Sequence, residues 1–451
     1  MRRQGWWHVG AGVTLLALAV TGLVRDLAWL AQPFYAWVWW GYILLLDGYC
    51  AIKQGDSLLT TRRRFFIPIC IWSVTFWFLF ELINARIQNW YYVGVFPLDS
   101  YVAGPVFAVT AFATVFMGIF QTMDALNASG LWRHWRCRGV LVSTRLTYQL
   151  QGIGLVLAGV ALVFPHYLAP LIWGSFTLLV DPWNYRRGAR SLLRDLEKGD
   201  LGLMARLLLA GLICGVVWES LNFVAPQKWI YTVRGLEGFK VFEMPLLGFL
   251  GFPALALDCM AGFALFSSFF LGNRSWERPD HLSYSLALHT PRGRRVFWQA
   301  AMVQVLFWGW VSLQATSVNV ASVQVELRDL GMSPKEEANL LELGIARPRQ
   351  FLFATRTKAG QGRTLAAFNG DAARLVELRR RAELYTFKGI GLDHGRALER
   401  VGVRTPQDLR NWEPEQLMAA LSFQPVERPV APPRLDFVKV WIHAARGVRL
   451  D

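Results

Sequence analysis

The residues best suited to chemistry are two carboxylates and an amide at the ends of apolar runs. Glu219 and Asn222 close one run and Glu243 opens the next, and the first pair has an earlier counterpart in Glu81 and Asn84. Glu and Asn at positions i and i+3 share one face of a helix, so each pair can point jointly into a bundle. Carboxyls held together away from water raise each other's pKa, and a protonated carboxyl can act as a general acid. The sequence therefore predicts a catalytic set of Glu219, Asn222 and Glu243.

Side chains around this set are predicted to bind the substrate. They are Glu81, Asn84, Trp218, Trp229, Tyr231 and Asp258. Each has a plainer interpretation as well. Buried Glu and Asn often only join neighbouring helices, and Trp and Tyr are typical of the headgroup level of a membrane. An Asp inside an apolar run serves either to link helices or in function.

The composition predicts a multi-pass membrane protein. Apolar types make up 54% of the 451 residues and charged types 18%, with a formal net charge of +15. A span needs about 20 mostly apolar residues. Nine are predicted, at residues 9–30, 34–52, 65–87, 101–123, 143–164, 167–184, 203–225, 241–270 and 296–318. The eighth contains Pro245 and Pro253 and is expected to be broken or re-entrant.

The loops between these spans alternate in basic charge, which predicts the orientation. Arg62, Arg63 and Arg64 are one of several basic groups on the same side as the N-terminus. By the positive-inside rule the N-terminus is cytoplasmic, in an inner membrane of bacterial type, and nine crossings put the C-terminal domain outside the cytoplasm.

Polar and proline landmarks recur in the same order in the two halves of the membrane region. The pairs are Asp47 and Asp181, Glu81 and Glu219, Asn84 and Asn222, Pro97 and Pro245, and Pro105 and Pro253. An even number of spans per unit makes such repeats parallel. The predicted fold is therefore all-α, with two parallel four-span repeats (1–140 and 141–275) and a loop with a ninth span (276–318). Asp47 and Asp181 are expected to form ion pairs with Lys53, Arg186 or Arg187 at the inner ends of their spans.

A polar helical domain is predicted at residues 319–425, followed by a Pro-rich tail with a short amphipathic helix at 426–451. Landmarks again recur, here at a constant shift of 58: Gly331, Gly344 and Pro348 become Gly389, Gly402 and Pro406. The second copy has a Gly389-Ile390-Gly391 hairpin, a helix, a glycine cap and a Thr-Pro helix start, and it resembles the helix-hairpin-helix modules. The resemblance implies that Gly389, Gly391 and Arg396 contact a phosphate or a partner. We expect a protein partner at 319–425 and rank nucleic acid second, because acidic residues beside the hairpins repel phosphates.

The membrane region carries a second resemblance. A Trp-x-Tyr element at Trp229 and Tyr231, a short loop, Glu-Met-Pro-Leu-Leu-Gly-Phe-Leu from Glu243 onward and a Pro-containing span look like the lycopene cyclase c/d type membrane domain. The resemblance covers about residues 220–270. It implies small helical repeats and acid–base chemistry on a long polyene, and hence a lipid or isoprenoid substrate.

Three functions stay open at this stage. The first is a carboxylate site near the outer leaflet that binds a lipid or isoprenoid, such as a carotenoid, or acts on it by acid–base chemistry. The second is a proton- or cation-coupled transporter or channel, and the third is a non-catalytic scaffold subunit that docks through the C-terminal domain. The five cysteines and seven histidines lack ligand-type spacing and no cofactor motif occurs, so no metal and no cofactor is expected. The oligomeric state is left open.

Overall fold

The structure is a computed structural model. It describes residues 2–25, 27–31, 33–87, 89–93, 103–225, 228–231, 240–242, 244–277, 290–315, 317–318, 325–422, 433 and 435–447. The chain divides into two compact units. The first comprises Met1–Asn89, Val102–Pro226 and Phe239–Thr316, and the second comprises Trp90–Tyr101, Gln227–Gly238 and Ser317–Asp451.

Helices make up nearly all of the first unit. Over the described residues they are α1 (Arg2–Val24), α2 (Ala28–Ala31), α3 (Phe34–Gln54), α4 (Phe66–Ile87), α5 (Ala103–Phe112), α6 (Thr114–Ser129), α7 (Thr144–Val163), α8 (Pro165–Leu168), α9 (Ser175–Arg186), α10 (Leu192–Glu197), α11 (Leu201–Val224), α12 (Gly251–Phe270) and α13 (Arg292–Ala315). α1 packs on α3 and α7 on α9, α3 contacts α6 as α9 contacts α12, and α11 lies against both α6 and α12.

Seven helical segments in the described chain are long and apolar enough to cross a membrane, which is consistent with a multi-pass membrane protein. They are Arg2–Val24, Arg63–Ile87, Gly104–Ser129, Thr144–Val163, Leu201–Val224, Leu246–Phe270 and Arg292–Gln314. These segments coincide with seven of the nine predicted spans. The second predicted span lies on α3, which has 21 residues and is not among these seven segments.

The sixth predicted span, 167–184, is not one continuous helix. After α8 the chain forms a 3₁₀ turn at Ala169–Ile172, and Gly174 adopts a left-handed φ of 82° before α9 begins. Proline lacks a backbone N–H and its ring crowds the preceding turn, so Pro165 and Pro170 favour such a break. The eighth span also begins irregularly, with a 3₁₀ turn at Leu246–Leu250 ahead of α12.

Paired glycines let α1 and α3 approach at backbone contact. A Cβ on Gly12 would lie 2.8 Å from the Gly41 carbonyl oxygen, and a Cβ on Gly48 would lie 2.6 Å from that of Gly5. No side chain fits at these distances. Close approach through small residues is the usual way in which membrane helices pack without a hydrophobic driving force.

Asp47 and Asp181 make matching contacts. Asp47 accepts hydrogen bonds from the Ser57 hydroxyl (2.8 Å) and the Leu59 N–H (2.9 Å). Asp181 accepts them from the Ser191 hydroxyl (2.9 Å) and the Leu193 N–H (2.9 Å), the residues that correspond to Ser57 and Leu59, and also from the Leu192 N–H (2.8 Å). The ion pairs predicted with Lys53, Arg186 and Arg187 are wrong. Hydroxyl and backbone donors of the following turn bind both carboxylates, and Asp47 Oδ2 also lies 2.8 Å from His8 Nδ1. Each aspartate thereby fastens the turn that follows its helix.

Short strands modify the predicted all-α fold. They are β1 (Trp90–Val93), β2 (Lys228–Tyr231), β3 (Lys240–Val241), β4 (Met244–Pro245) and β5 (Ser317–Val318). β3 and β4 form a small hairpin of the first unit. In the second unit β1 lies between β2, to which it is antiparallel, and β5, to which it is parallel. Both Trp-x-Tyr elements are therefore strands.

The C-terminal domain (residues 325–447) is helical and has one core. Its helices are α14 (Pro334–Glu342), α15 (Pro348–Ala354), α16 (Lys358–Leu365), α17 (Ala372–Tyr385), α18 (Gly391–Arg400), α19 (Pro414–Ser422) and α20 (Leu435–Gly447). The α20 residues Val438, Trp441 and Ile442 are buried in the same core as α14–α19. The terminal helix therefore completes this core, and the tail predicted at 426–451 is not separate from the domain at 319–425.

Residues related by the shift of 58 occupy matching places in this domain. Gly331 and Gly389 both adopt a left-handed φ (87° and 78°), as do Gly344 and Gly402 (77° and 89°). Three pairs of apolar residues at the same shift are buried: Leu340 and Leu398, Ile345 and Val403, and Phe351 and Leu409. A left-handed φ favours glycine, which explains why glycine stands at both hairpins and at both helix ends.

Candidate functional site

The two Glu-x-x-Asn pairs are completely buried. Glu81, Asn84, Glu219 and Asn222 all have 0% exposed surface, and they lie in the last two turns of α4 and α11. Asn84 binds the chain that follows the end of α4, since its Oδ1 accepts the Asn89 N–H at 2.9 Å. A carboxyl buried this deeply in an apolar helix costs free energy, which makes these positions candidates for function.

An aromatic residue precedes each glutamate and packs across the unit. Trp218 lies 4.8 Å from Trp39, and Phe80 stacks on Trp173 at 4.9 Å between ring centroids. In the alignment that pairs Asp47 with Asp181, Trp39 corresponds to Trp173. In the alignment that pairs Glu81 with Glu219, Phe80 corresponds to Trp218. Each ring thus pairs with one from the other half of the membrane region. The Trp218 carbonyl also accepts the Tyr35 hydroxyl at 3.0 Å.

Asp258 fixes the start of α9. Its Oδ2 accepts the Gly174 N–H at 3.0 Å, and its Oδ1 accepts the Thr177 N–H and hydroxyl at 2.7 and 2.5 Å. A carboxylate on the first N–H groups of a helix is a stabilising N-terminal cap. Because Gly174 directly follows Trp173, Asp258 positions the ring that stacks on Phe80. Its geometry is that of a link between helices, one of the two interpretations that the sequence allowed.

Trp229 and Tyr231 lie in the second unit. The Trp229 Nε1–H donates to the Tyr231 hydroxyl at 2.8 Å, and β2 pairs Trp229 with Tyr92 and Tyr231 with Trp90. The antiparallel register therefore places the Trp of each Trp-x-Tyr element opposite the Tyr of the other. Glu243, the second predicted carboxylate of the catalytic set, lies outside the described residues.

An open groove of about 660 Å³ runs along α7. Leucine, isoleucine and valine line it together with Gln149, and it contains none of the predicted site residues. Within the described chain no three His, Cys, Asp or Glu side chains lie close enough to hold a metal ion.

The C-terminal domain uses much of its basic charge internally. Arg374 donates to Glu336 at 3.1 Å, and Arg381 donates to Glu399 at 2.9 Å. Gly389 and Gly391 form the turn before α18 with φ values of 78° and 71°, and Arg396 is exposed on that helix. Arg374, Arg379 and Arg381 all form salt bridges with glutamates. This leaves less free charge for a nucleic acid, whose binding depends on cations.

Glu336 makes the stability of this domain depend on pH. Partial burial alone would raise its pKa, but hydrogen bonds from Arg374 and from the Ser333 N–H outweigh burial and lower the pKa below its ordinary value. A carboxyl with a lowered pKa stabilises the fold above its unfolded pKa, and this stability is lost as the pH falls. We expect exchange of the α14 amides to rise below about pH 4.3 relative to the Glu336→Gln variant. Hydrogen exchange on both proteins at each pH checks this, and a constant ratio from pH 7 to 3 contradicts it.

Two buried arginines were not predicted as site or core residues. Arg62 pairs with Asp124 at 2.5 Å, and Arg190 pairs with Glu277 at 2.6 Å and Asp195 at 2.7 Å. In the sequence they stand among other basic loop residues and only indicate orientation. Asp124 and Glu277 lie far from these arginines in the sequence, so these two pairings carry no local signal.

Comparisons with known proteins bear on the C-terminal domain. A family model described as "Domain of unknown function (DUF4332)" matches residues 330–448. No curated protein and no solved structure matches the chain. The matched stretch coincides with the core that runs from Val325 to Ala445, and it includes the terminal helix α20.

Proposed function

We propose that this is a multi-pass membrane protein that binds a lipid or isoprenoid near the outer leaflet through its two Glu-x-x-Asn pairs. The observation that carries the proposal is the complete burial of Glu81, Asn84, Glu219 and Asn222 in two mainly apolar helices. Glu219 is the prime acid or anchor and Asn222 orients it. Trp218 supplies an aromatic wall for an apolar ligand.

Matched contacts support two parallel four-span repeats followed by a ninth span. Asp47 and Asp181 bind the same kinds of donor, and the ring pairs beside the glutamates exchange partners between the halves. An exchange of equivalent residues is what a two-fold axis between two copies produces.

The chemistry of the pairs suits a ligand that is apolar with a weakly polar group. A carboxyl and an amide on one helix face can bind a hydroxyl or polarise a double bond, whereas a highly charged ligand would need compensating charge. The similarity of residues 220–270 to the lycopene cyclase c/d type membrane domain favours an isoprenoid. Acid–base chemistry requires that one carboxyl reach the substrate protonated.

The test is mass spectrometry of the lipids that co-purify in mild detergent. We expect wild type to retain one polyprenyl, carotenoid or other single lipid that is depleted at least tenfold in Glu219→Gln and Glu81→Gln. These changes keep the shape of the side chain and remove its acid. A ligand that is chemically altered rather than lost in the variants indicates catalysis.

Asp181→Asn is the matched control, because Asp181 is also buried and holds the turn after α9 rather than a ring beside the glutamates. It should lower the melting temperature and leave the lipid in place. If wild type, Glu219→Gln and Asp181→Asn all carry the same bulk phospholipids, the ligand proposal fails. Proton-dependent flux in liposomes would then favour the transporter. Because Asp258 caps a helix, the transporter would have one residue fewer along its ion path.

Docking is the function that we propose for the C-terminal domain, with the helix-hairpin-helix arrangement as its scaffold. The engagement of Arg374 and Arg381 with glutamates favours a protein or surface partner over nucleic acid. A pull-down from membranes with and without nuclease treatment separates these partners. Capture that survives nuclease favours docking.

A further inference from the structure

One segment of the C-terminal domain combines exposed apolar side chains with unpaired basic ones. We call residues 341–363, which include α15 and the first six residues of α16, the basic–apolar surface. Phe353 is 76% exposed, and Leu341 and Leu343 are about half exposed. The segment contains five basic residues and one acidic residue, Glu342. Such a combination is unusual on a polar surface and marks an interaction site.

The cations of this surface are available to a partner. Arg356, Lys358 and Arg363 are all exposed, and none of them forms a salt bridge with another residue that the structure describes. They differ in this respect from Arg374 and Arg381, which are held by glutamates of the same domain. These three positive charges therefore face outward.

The related segment 58 residues later keeps the core and lacks the surface. Phe351 and Leu409 are both fully buried, but the exposed Phe353 becomes Asn411. The exposed Leu341 becomes Glu399, whose carboxylate accepts hydrogen bonds from Arg381 and Tyr385. Lys358 becomes Gln416 and Arg363 becomes Leu421, which is buried. Stability of the hairpin scaffold thus does not require the basic–apolar character.

The chain itself brings a bilayer within reach of this domain. α13 ends at Ala315 and the core of the domain begins at Val325. Ten residues extend at most about 35 Å, so the domain stays close to the membrane that α13 is apolar enough to cross. Cationic side chains flanking exposed Phe and Leu match an anionic headgroup layer, which attracts basic groups and accepts aromatic and aliphatic side chains at its acyl boundary.

We propose that the basic–apolar surface binds the anionic phospholipid surface of the membrane and holds the C-terminal domain against it. Phe353 inserts at the headgroup–acyl boundary, and Arg356, Lys358 and Arg363 bind lipid phosphates. This surface is independent of the Glu219 site and requires only that the apolar helices span a bilayer. The phosphate contact is electrostatic, so salt weakens it, because the Debye length falls to about 3 Å at 1 M.

The test uses the full chain in nanodiscs with an environment-sensitive fluorophore on Phe353→Cys. Asn411→Cys, the exposed residue at the related position, is the matched control, and both are made in a Cys137→Ser background because Cys137 is the exposed native cysteine. The discs contain either phosphatidylcholine alone or phosphatidylcholine with phosphatidylglycerol, plus a lipid that carries a quencher near its headgroup. We expect quenching at residue 353 only in the anionic discs. It should be lost in 1 M salt and in the triple variant Arg356→Gln, Lys358→Gln and Arg363→Gln.

Equal and weak quenching at residues 353 and 411 in both kinds of disc overturns the proposal. Quenching at 353 that is unaffected by lipid charge, salt and the triple variant also overturns it, because the cations then have no part. If the label at 353 is shielded in native membrane vesicles but not in anionic discs, the surface binds a protein and the lipid proposal is wrong. Circular dichroism of each variant shows whether its helices are intact.

Discussion

Asp181→Ala should lower the free energy of unfolding by about 3 kcal/mol or more, because it leaves three buried donors without an acceptor. Asp181 is 2% exposed and accepts the Ser191 hydroxyl and the Leu192 and Leu193 N–H groups at 2.8–2.9 Å. The two N–H groups cannot turn to another partner, since backbone geometry fixes them at the start of α10. We expect the turn at residues 188–193 to loosen and the packing of α9 to weaken with it.

Thermal unfolding in mild detergent measures the effect, and two other changes calibrate it. Asp47→Ala should cost a similar amount, because Asp47 is buried and also accepts Gln121 Nε2 at 2.8 Å. Asp200→Ala should cost only about 1 kcal/mol, since Asp200 caps α11 with one hydrogen bond at the surface. A melting temperature of Asp181→Ala equal to that of Asp200→Ala would show that the turn does not depend on the carboxylate.

These aspartates show what the sequence could and could not predict. Their alignment, with Ser57 and Ser191 at the same distance along the chain, correctly singled out two positions that make the same contacts. Their partners were predicted wrongly as nearby basic side chains. A sequence displays side-chain charge, but the direction of a backbone N–H depends on the turn, and the turn becomes visible only in three dimensions.

The strands were missed for a related reason. Trp90–Val93 and Lys228–Tyr231 are rich in aromatic and β-branched residues, which favour strands. Each is only four residues long, and its partner lies more than 130 residues away. Short runs of Trp and Tyr next to apolar helices are equally typical of the headgroup level, so periodicity could not distinguish the two.

Proline and glycine residues indicate the break in the sixth span, but hydropathy averaged over a window of residues does not show it. Pro165, Pro170 and Gly174 interrupt the helix in the structure. Asp258 compensates by capping α9, and only the structure reveals that link because its donors lie about 80 residues earlier. The break brings Trp173 onto Phe80, beside Glu81. An irregular span thus helps to build the surroundings of a predicted site residue.

Arg190→Met should lower the free energy of unfolding by about 3–5 kcal/mol, because it leaves two buried carboxylates without their cation. Arg190 Nε and Nη2 donate to both oxygens of Glu277 at 2.6 and 3.0 Å, and Nη1 lies 2.7 Å from Asp195 Oδ2.

Burial raises the pKa of Asp195 to about 7 although Arg190 opposes it. A carboxyl with a raised pKa contributes stability that is full below its unfolded pKa and is lost as the pH rises through the folded value. Without Arg190 the pKa rises further, so the variant should lose more stability at pH 8 than at pH 5.

Melting curves of wild type and Arg190→Met at both pH values test this expectation. Arg328→Met is the control, because the Arg328–Glu326 pair is exposed and such pairs contribute about 0–1 kcal/mol. Adding Glu277→Gln to Arg190→Met should restore part of the loss, since it removes one of the two stranded charges and keeps the shape of the side chain. If Arg190→Met melts like Arg328→Met at both pH values, the buried cation does not hold the turn after α9 to the chain beyond α12. Arg190 would then have no structural part beyond the membrane orientation that the sequence predicts for the loop charges.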